Sequence, residues 1–355
     1  MPTIAQPEPT RVTIGVDTHG DLHVAAARDQ LGRPLGTTLV PATLAGYQHL
    51  LGWTLKLGEP VAFGIEGTGC YGAGLARYLR ANGQQVIEVN RPDRATRRRK
   101  GKSDPVDADA AARAVQAGDA TATPKAGVGV VEMLRMLHLA RKTAIKARTQ
   151  TMNALRALLV TAPPELREQL RGLSKTMLPR AAAALQAGRV TSPAAAAMLA
   201  LASLGRRHAT LTDEIATLDA ATGRLLGRFA QPLLDRVGIG PDSASALLLA
   251  AGDNPGRLRS EAAFAALCGT SPVEASSGKT VRHRLNRGGN RQANAALYRI
   301  VIVRLRWHQP TREYMARRIA EGKTKTEVIR CLKRYVAREV FAVLNTLAFD
   351  LASAA

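Results

Sequence analysis

Hydrophobic positions in the first part of the chain change period several times, and each change marks an element. The run RVTIGVDTH (11–19) predicts a short apolar strand closing on Asp17. LHVAAARDQLGRPLGTTLV (22–40) predicts two further strands about a Gly/Pro turn. GYQHLLGWTLKLG (46–58) has helical spacing, and PVAFGIEGTG (60–69) reads as a buried strand ending in Glu66. A helix closed by Gly83 (72–83) and a strand QQVIEVN (84–90) follow. A strand meander leading into helix–strand units suits an α/β sheet of the RNase H type over residues 11–125, because an ordinary doubly wound sheet lacks the early hairpin.

From about residue 126 to 230 the pattern turns helical and Ala-rich. MLRMLHLARKTAIKARTQTMNALRALL (133–159) repeats apolar positions at helical intervals, although Arg141 and Arg148 break any strict heptad. It contains no acid, and Arg135, Lys142, Lys146 and Thr149 fall near one face. A solvated face is the bland reading. The lack of balancing carboxylates favours phosphate contact by Arg141, Lys142 and Lys146. Pro163 and Pro164 interrupt the segment and HATLTDEIATLDAATGRLL (208–226) resumes it, so two long helices packed as a coiled coil or dimer arm are expected. The remainder, 231–350, reads as mainly helical. Its segment LLDRVGIGPDSASALLLAAG (233–252) resembles a helix-hairpin-helix turning on Gly238 and Gly240, a device that binds phosphate through turn amides.

Charge then narrows the partner. With 50 Lys+Arg against 28 Asp+Glu the net charge is +22, which points to a polyanion but names no chemistry. No apolar run approaches the roughly 20 residues a membrane helix needs, and the N-terminal stretch lacks the features of a signal peptide, so no membrane partner is expected. Three scattered cysteines without a C-x-x-C pair fit a reducing cytoplasm and no zinc cluster of usual spacing.

Four carboxylates carry the candidate chemistry. Asp17 closes a strand, and alone is best read as a turn residue. Glu66 closes the strand VAFGI ahead of Gly67, and sheet neighbours of this kind can bring two acids to one sheet end. In RRRKGKSDPVDADAAARA (97–114), Asp104 is expected as a helix N-cap with Pro105 at the first helical position and Asp107 third. Capping explains one of these acids, and Asp109 suits the helix dipole. It does not explain the polybasic run upstream, where Arg97, Arg98, Arg99, Lys100 and Lys102 would flank a nucleic-acid backbone. Phosphodiester chemistry gives all four acids one purpose, because paired divalent ions need several hard oxygen ligands, which suits Mg²⁺ or Mn²⁺. A second basic stretch, EASSGKTVRHRLNRGGNRQ (274–292), carries Lys279, Arg282, Arg284, Arg287 and Arg291. It grips phosphate on the bland reading; on the sharper one, a serine in it is a nucleophile.

Taken in order, IGVDTHGDLHVAAA, GIEGTGCYGAGLARYL, VNRPDRATRRRKGKSDPVDADAAARA, VGIGPDSASALLLAAGD and FAALCGTSPVEASSGKT resemble the DEDD transposases of bacterial insertion sequences, a family of bridge-RNA-guided recombinases. The resemblance implies a resolvase-like catalytic domain over 11–125 whose tetrad maps onto Asp17, Glu66, Asp104 and Asp107, a coiled-coil region over 126–230, and a transposase domain over 231–350. It implies a nucleophile at Ser277, with Ser276 one register away and standing where some relatives carry an acid. It also implies donor and target DNA, a structured guide RNA and a homo-oligomer, dimer or tetramer, in which the two domains meet across protomers. Two alternatives stay open: a metal-dependent junction endonuclease with no serine step, and a non-enzymatic basic nucleic-acid-binding protein. An actin-like sugar kinase is discounted, since no second phosphate motif is evident and the net charge of +22 does not suit a small-metabolite enzyme.

Overall fold

The computed structural model describes residues 9–89, 103–252, 254, 258–279, 283–284 and 286–353. Two compact units divide the chain: Met1–Gly129 with Gly252–Arg257, and Val130–Ala251 with Leu258–Ala355. The polybasic run carrying Arg97, Arg98, Arg99, Lys100 and Lys102 lies outside the described residues, as does Arg282.

In the first unit, β1 (Arg11–Thr18), β2 (Leu22–Asp29) and β3 (Pro34–Pro41) form an antiparallel meander. After α1 (Leu44–Leu57), β4 (Glu59–Glu66) joins β1 in parallel; after α2 (Ala73–Ala81), β5 (Val86–Val89) joins β4 in parallel. The sheet order is therefore β3-β2-β1-β4-β5, the mixed sheet expected from the meander and the helix–strand units. Each strand that reads as a continuous apolar run in sequence is covered on both faces, which is why β1 alternates little. Val12, Ile14, Val16, Phe63 and Ile65 share a core with Leu50 of α1 and Leu75 and Leu79 of α2. The opposite face carries α3 (Asp104–Gln116), whose Ala108 packs with Val24 and Ala26 of β2. Asn254 belongs to this unit because its side chain donates to the Pro124 carbonyl at 2.7 Å and accepts from the Ala126 amide at 2.8 Å.

The second unit opens with α4 (Val130–Thr161) and α7 (Pro193–Phe229), with the short α5 (Pro164–Leu170) and α6 (Met177–Ala183) between them. The long helices pack antiparallel. Leu134 shares a core with Leu226, whereas Leu155, near the other end of α4, shares one with Leu201. A 32-residue helix spans roughly 48 Å, so a core at each end is what holds the pair together. The first core continues through α8 (Gln231–Leu234), α9 (Pro241–Ala251), α10 (Glu261–Leu267), α11 (Arg291–Trp307), α12 (Gln309–Ala320) and α13 (Lys325–Ser353). A two-stranded ribbon, β6 (Val273–Glu274) with β7 (His283–Arg284), stands in the segment the sequence reads as a loop. The turn before α9 is fixed by the buried Arg304, whose Nε donates to the Val237 carbonyl at 2.7 Å while its other nitrogens hold Glu339 at 2.7 and 3.1 Å.

Candidate active site

The acids of the first unit are positioned by how closely α3 approaches the sheet. Alternation along β1 turns Val12, Ile14 and Val16 toward α1 and α2, and turns Thr13, Gly15 and Asp17 toward α3. A Cβ at Gly15 would overlap the Ala108 carbonyl oxygen and the Ala112 amide nitrogen, so glycine lets helix backbone lie directly on strand backbone. Gly64 on β4 makes room for the Val115 side chain and, less closely, the Ala111 carbonyl oxygen. Two residues further along these strands come Asp17 and Glu66. The parallel register Val16↔Ile65 sets them level at the same sheet end, and alternation puts them on the α3 face. The Thr18 hydroxyl donates to the Glu66 carbonyl at 2.8 Å, tying the two strand ends together.

The N-terminus of α3 arrives at that end. Its N-cap is Ser103, not Asp104. Ser103 has extended backbone and its carbonyl accepts from the amides of Val106 at 3.0 Å and Asp107 at 3.1 Å. Asp104 is thus the first helical residue, Pro105 the second, and no side-chain capping bond is made at this end. Both residues at this junction are good cap formers, and backbone geometry selects the serine. Asp104, released from capping, presents a half-exposed carboxylate, while Asp107 is buried. Asp109 plays a different part: Arg28 grips its carboxylate through two bonds of 2.6 and 3.1 Å, and Arg113 adds an ion pair at 2.8 Å.

Three of the four candidate acids therefore stand within electrostatic reach of one another. Burial pushes the Asp17 carboxyl above its ordinary value, the charges of Asp107 and Asp104 push it further, and His19 opposes them. His19, which sequence reasoning missed, places Nε2 3.2 Å from Asp17 and 3.5 Å from Asp104. Its only sequence signal is its place two residues past Asp17 in DTHGD. Asp17, His19 and Asp104 each offer one ligand atom, and these lie within 4.8 Å of one another. Carboxylate oxygens crowded enough to raise the proton affinity of Asp17, with the His19 imidazole beside them, are a donor set that suits a divalent cation.

The second unit carries the remaining candidates. Ser277 is exposed and precedes Gly278, whose φ of 57° lies in the left-handed region. Ser276 is half-buried. Lys279, Arg284, Arg287 and Arg291 are exposed around this ribbon. On α4, Lys142 and Lys146 are exposed one turn apart. Arg141 is engaged within the protein, paired with Asp219 of α7 and at 3.2 Å with Asp242 of α9, and Arg135 pairs with Glu132 of its own helix at 2.6 Å, so carboxylates absent from 133–159 are supplied from outside that stretch. Gly238 takes a φ of 80° in the turn before α9, where Arg299 holds Asp242 at 2.8 Å. Among the described residues, no helix is long and apolar enough to cross a membrane.

Two family models match the chain in order. One, DEDD_Tnp_IS110, described as a transposase, matches residues 14–164, a stretch that contains Asp17, Glu66, Asp104 and Asp107. The other, described as Transposase IS116/IS110/IS902 family, matches residues 230–316, a stretch that contains Ser277. Among curated proteins, none matches the chain.

Proposed function

The chain belongs to the IS110-type transposase family and is a transposase acting on DNA; from that premise we propose that it cuts and rejoins DNA through a composite site, in which the acids of the first unit act with a serine of the second. The observation that carries this reading is the meeting of Asp17, Asp104 and Asp107 at the strand end where Glu66 also stops. Structural needs alone do not account for it. Asp109 on the same helix is neutralised by two arginines, whereas Asp17 is left among like charges with one imidazole. The sheet order β3-β2-β1-β4-β5 supports an RNase H-like description of this unit, and the Gly238–Gly240 turn before α9 supports a helix-hairpin-helix.

Asp17, Glu66, Asp104 and Asp107 would hold divalent metal, Mg²⁺ or Mn²⁺, with His19 oriented between Asp17 and Asp104. When bound, such ions supply charge stabilisation and activation of the attacking oxygen. Ser277 Oγ bonds to the scissile phosphorus as the bridging P–O bond breaks. The serine gives up its proton to a base and the departing strand oxygen gains one. Attack by a hydroxyl of the incoming strand reverses both changes and restores the serine. Lys279, Arg284, Arg287 and Arg291 would stabilise the phosphoryl charge and grip the backbone. Backbone contacts carry no sequence information, so guidance by a structured RNA fits the surplus of +22, and assembly of several protomers would let the units meet.

The test compares Asp104→Asn, Asp107→Asn and Asp109→Asn in Mn²⁺-dependent DNA cleavage and in metal titration by calorimetry. Loss of both in the first two variants, with both kept in the third, is expected. Equal effects in all three would refute the assignment.

A further inference from the structure

The second unit contains a cavity of about 460 Å³ where α12 and α13 meet β7 and the loop after α10. It opens to solvent, and its walls carry several cations and two tyrosines. Some of the charge is neutralised locally: Glu261 pairs with Arg334 and, at 3.8 Å, with Arg338, and Glu321 pairs with Arg318. Among the described residues, no carboxylate lies within ion-pair distance of Arg284 or Lys333, and Arg330 feels only the more distant charge of Glu327. Lys333 is the most telling of these. It is half-buried, and burial first and Arg330 second lower its proton affinity. Its ammonium donates to the Asn294 side-chain oxygen at 2.9 Å, while the Asn294 amide is itself anchored to the carbonyls of Cys268 at 2.8 Å and Gly269 at 3.1 Å. A desolvated cation held in place by a neutral amide is a costly arrangement that an anion entering the cavity would relieve.

The aromatic part has its own geometry. Tyr314 meets Tyr335 edge to face, with centroids 5.4 Å apart and planes at 78°, which fixes the Tyr335 ring. Tyr335 remains 51% exposed, and the Arg338 guanidinium lies 5.9 Å from its centroid. Nucleobases stack on aromatic rings and guanidinium planes alike. A cleft of this volume has room for one nucleotide, and an unstacked base offers Tyr335 the free face that a duplex base has already spent on its neighbours.

We propose that the cavity lined by Arg284, Arg330, Lys333, Arg334, Tyr314 and Tyr335 binds one unstacked nucleotide of a single-stranded nucleic acid, with its phosphate on the cations and its base against Tyr335. This rests on the chain acting on nucleic acid, and not on the serine or the acid cluster. Either a displaced DNA strand or an RNA loop presents the same chemistry.

Fluorescence anisotropy of the full chain in EDTA, with a short oligothymidylate, a short oligouridylate and a blunt duplex as probes, tests it. Lys333→Gln and Tyr335→Ala should each weaken single-strand binding about tenfold while duplex binding changes less than about twofold. Tyr335→Phe should retain single-strand binding, as should Arg312→Gln, which alters an exposed cation outside the cavity. Melting curves check that each variant folds. Preference for the thymidylate assigns the site to DNA, and preference for the uridylate to RNA; both support a nucleotide site. Unchanged single-strand binding in the Lys333 and Tyr335 variants, or equal losses on single strand and duplex, overturns it. Failure of the wild type to bind the duplex would count against DNA action itself and leave the single-strand comparison to judge the cavity.

Discussion

Replacing Gly15 with alanine adds a single methyl group and should disable the acid cluster without touching any acid. The new Cβ would overlap the Ala108 carbonyl oxygen and the Ala112 amide nitrogen and stand 3.0 Å from the Ala111 carbonyl carbon. Non-bonded heavy atoms settle at roughly 3.5 Å, so α3 has to retreat by about 1 Å or more. These obstacles are backbone atoms of a hydrogen-bonded helix and cannot rotate aside. Overpacking of this kind costs about 1–3 kcal/mol. The retreat moves Asp104 and Asp107 relative to Asp17, and misplacement of about 1 Å at a reacting centre costs on the order of a hundredfold in rate. Gly64→Ala should be milder, because its nearest obstacle at 2.6 Å is the tip of the Val115 side chain. The assay is metal-dependent cleavage of labelled DNA, with thermal melting alongside. Cleavage by Gly15→Ala within about threefold of wild type would refute the claim that α3 sets the acid geometry.

Asp109→Asn should lower stability by about 1–3 kcal/mol in denaturant titration, since it leaves the half-buried Arg28 without its carboxylate, and should leave metal binding intact. Phe264→Ala removes a fully buried ring packed 6.2 Å from Phe341 and should cost about 3–5 kcal/mol by the same measurement. His23 is buried against Tyr47, and burial holds its imidazole below the ordinary 6.5. The folded state therefore keeps it neutral while the unfolded chain protonates it. This stability is fully present above 6.5 and is lost as pH falls below it through the depressed folded value. His23→Phe should flatten the decline in melting temperature between neutral and mildly acid pH, and an unchanged slope would show that His23 is not its source.

The strands and most helices were legible because their period is set by burial. The run RVTIGVDTH coincides with β1, and VAFGIE ends, as read, on Glu66. The helix α12 was not, since QPTREYMARRIA is polar and Arg-rich and buries little beyond Thr311 and Met315. The cap of α3 slipped by one residue because Ser103 and Asp104 are both competent caps, and only the backbone decides between them. Pairing was the least legible feature. The acids that neutralise Arg141 lie 78 and 101 residues away in sequence, so a basic face on α4 looked uncompensated. His19 carries little local signal for the same reason, as its meaning comes from Asp104 on a helix far along the chain. The close approach of α3 was hidden in Gly15 and Gly64, whose role is visible only once helix and sheet are in place.

Attack on DNA by a serine, with the help of the acid cluster, leaves protein joined to the cut strand, and one gel detects that bond. End-labelled DNA carrying the element's junction is incubated with Mg²⁺, RNA transcribed from the element's own flank, and wild type, Ser277→Ala, Ser276→Ala or Glu66→Gln protein, then resolved under denaturing conditions with and without protease. A protease-sensitive protein–DNA adduct is expected with wild type and Ser276→Ala, and none with Ser277→Ala or Glu66→Gln. Free cut ends from Ser277→Ala, with no adduct in any lane, would contradict it and leave a metal nuclease that uses water.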